Sequence, residues 1–348
     1  MFYIRQACSI SPQQTFSGLG IDFLVESKEN QLEAIESSYE NVPKNILRRM
    51  GKTVRIGVGA ALPLIEAESK IDGIIVGTAN GGMEESVLFL NQIIKFNEEI
   101  LAPGNFVQST SNAIAAQIGL LSSNKGYNIT HVHSGLAFEN AAIDAAMLLM
   151  ENKSNCYLLG GVDEIGSYNY KFDYLSGWYK NELISNKDLY KTDSPGTIAG
   201  EGSNMFLINN EEENSIAKVE AIKTIHTEDE EKVRDQLQHF ITANMGEEEK
   251  IDLFLMGENG DNRLQHFYSS CESLIKNETA VARFKHMCGE YPTASSFALW
   301  LACKLLESQI LPVHMVKRSA TKVGLKRIII YNNYKGYQHS FMLVSKLN

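Results

Sequence analysis

GYNITHVHSGLAFENAAIDAAMLLMENKSNCYLLGGVD, residues Gly126 to Asp163, is the stretch around which the chain is organised. It opens with a short β-prone run, Asn128 to His133. A tight Ser134-Gly135 turn follows, and then a helix with almost no polar face. Ala137, Ala141, Ala142, Ala145 and Ala146 allow other backbones to approach closely, and Met147 to Met150 extend the apolar run. Such a helix is expected to be buried on nearly every side. Cys156 to Leu159 reads as a buried strand ending in Gly160-Gly161. A strand, a sharp turn and the N-terminus of a buried helix form a favourable place for a nucleophile, because the helix dipole stabilises an anion there. This turn carries no thiol.

Without a gap, the stretch resembles the nucleophile region of elongating β-ketoacyl-acyl-carrier-protein synthases, which have the thiolase fold. The similarity rests on Gly126 and Asn128 at the opening, Ala145-Ala146 within the helix, and Gly160, Gly161 and Asp163 at the end. The cysteine of that family falls on Gly135, and a glycine usual three residues later falls on Phe138. A register shifted by three residues would put Val132 at the cysteine position, and neither register restores a thiol.

Two further landmarks carry the resemblance. Gly200-Glu201-Gly202 matches the family's strand opening. Lys285 and Gly289 match a Lys-x-x-x-Gly-His motif, but Glu290 replaces its histidine. The family's other histidine falls on Gly257, or on Asn259 after a shift of two. Condensation needs a thiolate to hold the acyl group and donors to stabilise an enolate. The resemblance therefore implies a scaffold without its Cys-His-His set, the supporting Lys285 being retained. A Glu290 carboxylate would repel an enolate unless protonated or paired, and Lys285 is its expected partner.

The rest of the chain is consistent with a duplicated α/β fold. Ile71 to Gly77 and Ile251 to Gly257 share an Ile-Asp start and a glycine six residues on, and Asn80-Gly81 and Asn259-Gly260 follow them, one residue out of step. This is a faint repeat with a period near half the chain. Thr293 to Leu306 is the expected counterpart of the alanine-rich helix. With the resemblance, this implies a thiolase-like five-layer α-β-α-β-α stack of two pseudo-repeated halves, 1–170 and 171–348. Val42 to Ala67 reads as helical, interrupted at Pro63. Pro103-Gly104 reads as a break, and the aromatic run from Tyr168 to Tyr179 as a long ordered loop lining a pocket.

Composition narrows the partners. The 348 residues carry a net charge of −10, which disfavours nucleic acid and anionic membranes. The acidic runs 211–213, 228–231 and 247–249 read as solvated surface. The start of the chain reads directly as a strand, so no signal peptide is expected, and no apolar run is long enough for a membrane span. Five scattered cysteines without metal spacing point to reduced thiols in the cytoplasm. No metal and no cofactor of the chain's own are expected.

Substitute chemistry has few candidates. His131 and His133 alternate on one strand and would point the same way, either as a base or ligand pair or as structural or interface histidines. Ser134 reads as a nucleophile or, in the plainer reading, a helix N-cap. Cys288 reads as a thiol in the loop of the second half. His131, His133, Ser134, Phe138 and Glu290 form the candidate pocket. The chain resembles 3-oxoacyl-acyl-carrier-protein synthases, which are acyltransferases, and is expected to be inactive alone. The resemblance is especially marked to ketosynthase-like proteins of bacterial aryl-polyene and flexirubin-type pigment clusters, in the run Asn105 to Asn112 and in Thr130 to His133. It implies a chain-length-factor-type partner of an active ketosynthase in fatty-acid or polyketide synthesis, with an acyl carrier protein delivering acyl-phosphopantetheine. The alternatives are an acyl-thioester enzyme of different chemistry, hydrolysis or decarboxylation, and a homodimeric acyl-binding protein.

Overall fold

The computed structural model describes residues 1–16, 21–27, 29–68, 70–99, 101, 103–152, 155–246, 249–320 and 324–347. Of the acidic run 247–249, the first two residues lie outside the described residues. Strand β1 (Phe2–Ile10) and the two-residue β2 (Gln31–Leu32) open the chain. Helices α1 (Lys44–Leu47) and α2 (Lys52–Ala67) precede β3 (Gly73–Gly77). Helices α3 (Met83–Lys95), α4 (Pro103–Gln108) and α5 (Ala113–Leu121) lead to β4 (Tyr127–His131), α6 (Ala137–Glu151) and β5 (Tyr157–Asp163). After α7 (Ser167–Leu175) come β6 (Ala199–Gly200), β7 (Gly202–Asn209), β8 (Ala217–His226), α8 (Glu230–Asn244), β9 (Leu253–Met256) and α9 (Gln265–Glu272). The chain closes with β10 (Ala280–Arg283), α10 (Lys285–Cys288), α11 (Ala294–Ser308), β11 (Val316–Arg318), β12 (Arg327–Tyr334) and β13 (Gln338–Ser345).

The duplication seen in the sequence is written into the strand order. Eleven strands run β11-β10-β9-β12-β13-β8-β1-β7-β5-β3-β4. Within this order β4-β3-β5-β7-β1 and β10-β9-β12-β13-β8 are the same arrangement: third, second, fourth, fifth, first. Directions match too. The second strand is parallel to the third and fourth, and the fifth is antiparallel to its neighbours. The ladders join through antiparallel pairing of β1 with β8. The similar segments Ile71 to Gly77 and Ile251 to Gly257 contribute the second strands, β3 and β9. The expected division near residue 170 lies before β7, which pairs with β5 and β1, so by pairing the first ladder ends at Asn209 and the second opens at Ala217.

Alternation along the strands builds the layers. Ile75, Leu159 and Phe206 face inward with Leu253, Leu255, Ile328 and Ile330, and α6 and α11 lie between them. Ile74, Val76, Leu158 and Leu207 face outward onto α2 and α5. Phe254, Ile329, Phe341 and Leu343 face outward onto α8 and α9. The result is the thiolase-like five-layer α-β-α-β-α stack. The small residues of the central helices are there for approach: a Cβ on Gly77 would lie 2.5 Å from the Ala137 carbonyl oxygen, and one on Gly161 would lie 2.6 Å from Ser296 Cβ.

Some local expectations are corrected. Helix α2 continues through Pro63, which sits on its exposed face. Pro103 starts a helix, α4, at the one position where its missing N–H costs nothing. The first part of the aromatic run is helical, as α7.

One carboxylate ties the halves together. Asp163, fully buried, accepts from the Thr78 hydroxyl (3.1 Å) and the Ala79 and Asn80 N–H groups (2.9 Å each) on Oδ1. Its Oδ2 accepts from the Thr293 N–H (3.2 Å) and hydroxyl (2.8 Å), at the N-terminus of α11. Burial pushes its pKa up, and the hydrogen bonds pull it back. Asp163→Asn puts an NH₂ against two of these donors. It is expected to lower unfolding free energy by about 3 kcal/mol, as for a broken buried charge network, measured by urea denaturation.

Candidate functional site

The turn between β4 and α6 is where the two halves meet. Ser134 takes a left-handed conformation, φ 49°, which turns the chain sharply from strand to helix. The buried Gly135 N–H then donates to Gln338 Oε1 at 2.7 Å. That N–H is one of the orphan donors of a helix N-terminus, the kind that would otherwise hold an oxyanion. A Cβ on Gly135 would lie 2.3 Å from Tyr334 Cβ and 2.4 Å from its Cγ. Atoms so near the Tyr334 backbone cannot swing away, so no side chain fits here, and a cysteine does not.

Gly257 is crowded by side-chain ends. A Cβ there would lie 2.6 Å from Asn332 Oδ1 and 3.3 Å from Lys285 Cε. The Glu290 carboxylate is 2.5 Å from the fully buried Lys285 Nζ, and its other oxygen accepts from Asn259 Nδ2 at 2.8 Å. The expected Lys285 pairing is therefore present. Asn332, Tyr334 and Gln338 all belong to the β12–β13 hairpin, whose turn places Lys335 at φ 55° and Gly336 at φ 78°. Two successive positive φ values match the twist of a tight hairpin.

The Gly-Glu-Gly opening has a packing reason. A Cβ on Gly200 would lie 1.9 Å from the Cys288 carbonyl oxygen, so this strand can lie directly against the Lys285 to Gly289 turn. Glu201 between the glycines accepts from the Ala34 and Ile165 N–H groups and from Lys52 Nζ, each within 2.9 Å.

The other candidates separate. Strand β4 ends at His131, so His133 leaves the strand alternation and the two imidazoles do not form a pair. His131 Nε2 lies 3.0 Å from Asp144 Oδ2, which also accepts from the Tyr127 hydroxyl at 3.1 Å. His133 is exposed, 3.5 Å from Gln338 Nε2. Ser134 is not at a cap position: His133 caps the short turn and Leu136 precedes α6. Phe138 is fully buried, with its ring centroid 5.9 Å from that of Phe206. Cys288 is buried, with burial pushing its thiol far up, so no thiolate is available. Among the described residues no group of three His, Cys, Asp or Glu side chains could hold a metal.

A narrow cleft opens beside Glu290. Tyr170, Trp178, Tyr179, Tyr291 and Tyr334 line it, with Glu164, Asp173 and Lys335. The aromatic run therefore does line a pocket. His131, His133, Ser134 and Phe138 are not among its lining residues; of the five candidates only Glu290 is. Sequence reading missed Asn332, Tyr334, Gln338 and Glu164. A bulky pair flanking a Lys-Gly turn was the available signal for the hairpin, but nothing local tied it to Gly135.

Two outcomes follow from this geometry. Gly135→Cys is expected to cost about 2 kcal/mol or more, the scale of core overpacking, with Tyr334→Ala in the same chain relieving part of it in a double-mutant cycle read by denaturation. Glu139 gives a pH effect. It is fully buried on α6, with Ser340 donating to Oε1 at 2.6 Å and the Ser295 hydroxyl beside the same carboxyl group. Burial raises its pKa above the ordinary 4.5. Below that value the acid is neutral in both folded and unfolded chains. As pH rises the unfolded chain loses the proton first, so stability falls. Glu139→Gln is expected to gain stability relative to the parent as pH goes from acid to alkaline.

Comparison with known proteins agrees with this architecture. Residues 25–171 match the family model of the β-ketoacyl synthase N-terminal domain. No curated protein matches the chain by sequence. A β-ketoacyl synthase from Burkholderia phymatum superposes with a TM-score of 0.77 at 12% identity, covering 100% of this chain and 99% of that one. The ishigamide ketosynthase/chain length factor gives 0.80 at 12% identity, with 100% and 99% covered. A ketosynthase in complex with its chain length factor from Xenorhabdus doucetiae gives 0.77 at 11% identity, with 99% and 98% covered. Residues 25–171 are thus similar to a β-ketoacyl synthase N-terminal domain, and the chain as a whole has the fold of these solved ketosynthase structures.

Proposed function

We propose that this chain is a non-condensing partner subunit of a β-ketoacyl-acyl-carrier-protein synthase, of the chain-length-factor type, in fatty-acid or polyketide (polyene) synthesis. The observation that carries the reading is the contact of Tyr334 with Gly135, which fills the place where a nucleophile's side chain would stand. Gln338 holds the adjacent N–H, and Glu290 with Lys285 replaces an imidazole. Claisen condensation has neither its nucleophile nor its enolate donors in such a site. The thiolate belongs to the partner, to which a carrier protein brings the acyl-phosphopantetheine; this chain needs no cofactor of its own.

A partner also accounts for the surface beside β4. That strand is the last in the sheet, with only β3 beside it. Val132 just beyond it is 53% exposed, and Met147 on the Asp144 face of α6 is 59% exposed. On α3, Leu88, Leu90 and Ile94 are exposed, and Phe106 and Val107 of α4 lie beside them. An open edge with so much apolar surface is a pairing surface. Self-pairing gives a homodimer; an active ketosynthase gives the heterodimer in which the chain has its role. The working place is the cytoplasm, and no described helix is long and apolar enough to cross a membrane.

The test is co-expression with the active ketosynthase encoded beside it. The expected result is a one-to-one complex on size-exclusion chromatography that Met147→Glu or Val132→Lys breaks up. The chain alone should show no condensing activity and form no adduct with cerulenin. A stable monomer that never joins the ketosynthase, or a stoichiometric adduct on Cys288, would overturn the reading.

A further inference from the structure

Residues 21–27 form neither helix nor strand and are tied down at two ends by different chemistry. At one end the ties are amides. Gln13 Oε1 accepts from the Val25 N–H at 2.7 Å, and Gln13 Nε2 donates to the Met287 carbonyl at 2.8 Å. Asn186 accepts from the Ser27 N–H at 2.9 Å and donates to the Val25 and His286 carbonyls at 3.1 and 2.9 Å. At the other end the tie is an imidazole. The Ile21 carbonyl accepts from His314 Nε2 at 2.9 Å, and the Ile21 side chain is buried in the central core.

A carbonyl only accepts, so it fixes the protons behind it. His314 carries a proton on Nε2, and in its neutral form Nδ1 is an acceptor. His286 Nε2 donates to that atom at 2.9 Å. Neutral His286 then accepts on Nδ1 from the Tyr190 hydroxyl at 3.3 Å, while the Tyr190 oxygen accepts from the His286 backbone N–H at 3.2 Å. Two neutral imidazoles complete the chain from Tyr190 to Ile21. Protons on both would set N–H against N–H.

A single extra proton lacks a counter-charge. Arg283 of β10 lies 3.8 Å from the Tyr190 ring centroid and adds like charge. Its partner Glu258 is shared with Lys317, and Glu290 is held by Lys285. Cys288 is a neutral thiol, and Asp22 beside Ile21 is exposed to water. Among the described residues the imidazole that has an ion pair is His131, far along the chain. Burial, then His314 and Arg283, push His286 down to about 3.

We propose that His286 and His314 form an acid-sensitive latch on the 21–27 segment: a proton taken up by the pair frees the Ile21 end, while the amide-held end from Val25 to Ser27 stays anchored. Opening uncovers the seat of Ile21 beside Trp300 of α11. Because the closed segment holds His286 below the ordinary 6.5, the latch is at full strength above that pH and weakens as pH falls toward 3. One proton taken up per opening raises the open fraction about 30-fold from pH 7.5 to pH 5. The latch lies within one chain and stands independently of the partner-subunit reading.

Limited proteolysis of the full chain with papain between pH 7.5 and pH 5 tests this. Cleavage within 21–27 is mapped by mass spectrometry and normalised to a free peptide of the same residues. The normalised rate is expected to rise about 30-fold on acidification. In the double variant His286→Gln/His314→Gln, which keeps amide donors but cannot titrate, the rise should disappear. The pH series on the unaltered chain decides the matter if the variant fails to fold. A flat profile in the unaltered chain, an undiminished rise in the double variant, or a rise accompanied by loss of far-UV circular dichroism across the whole fold would overturn the proposal.

Discussion

The architecture depends on backbone lying directly on backbone at its centre. Gly77 and Gly161, at and near the ends of adjacent parallel strands, leave no room for a β-carbon against α6 and α11. Two buried helices can therefore sit between the sheet halves at the distance their alanines and serines allow. That close approach fixes where each helix begins. Helix α6 starts just after the third strand of one ladder, and α11 just after the third strand of the other. Both N-termini arrive at the same central region, and Asp163 bridges to one of them. The position of the site follows from the fold, whatever side chains occupy it.

This explains which parts were legible in the sequence. Alanine spacing along α6 and the Ser-Ala content of α11 are local signals of close packing, and both helices are where they were read. The Ile-Asp start of two strands marked a repeat that strand order bears out. Local pattern misled where a distant contact decides. Pro63 and Pro103 looked like breaks because propensity does not record which face a proline sits on. His131 and His133 looked like a pair because alternation was carried past the true strand end. The plug of the site was invisible for the same reason: Gly135 and Gln338 are 203 residues apart in sequence, and no motif links them.

Buried charge in the central region is distributed unevenly. Asp163 has five donors, and Glu290 has an ammonium and an amide. Glu139 has only the hydroxyls of Ser340 and Ser295, and Glu164 that of Thr53. The first two behave as structural ties between the halves. Glu139 lies fully enclosed on a central helix, where neutrality is its cheapest state. Glu164 differs in bordering the aromatic cleft.

The hairpin that carries Asn332, Tyr334 and Gln338 also closes the space at Gly135. A net hydrogen bond is worth about 1 kcal/mol, and a buried aromatic side chain about 2 to 3 kcal/mol. Withdrawing Tyr334 and Gln338 from Gly135 would forfeit both contributions, and would leave an N–H at the helix start without a partner. A substrate carbonyl seeking that N–H must therefore outcompete an amide already seated at 2.7 Å. Tyr334 adds a steric bar that no rotamer removes, since its Cβ is among the blocking atoms. The hairpin contacts that fill the space at Gly135 thus also satisfy the packing and hydrogen bonding around it.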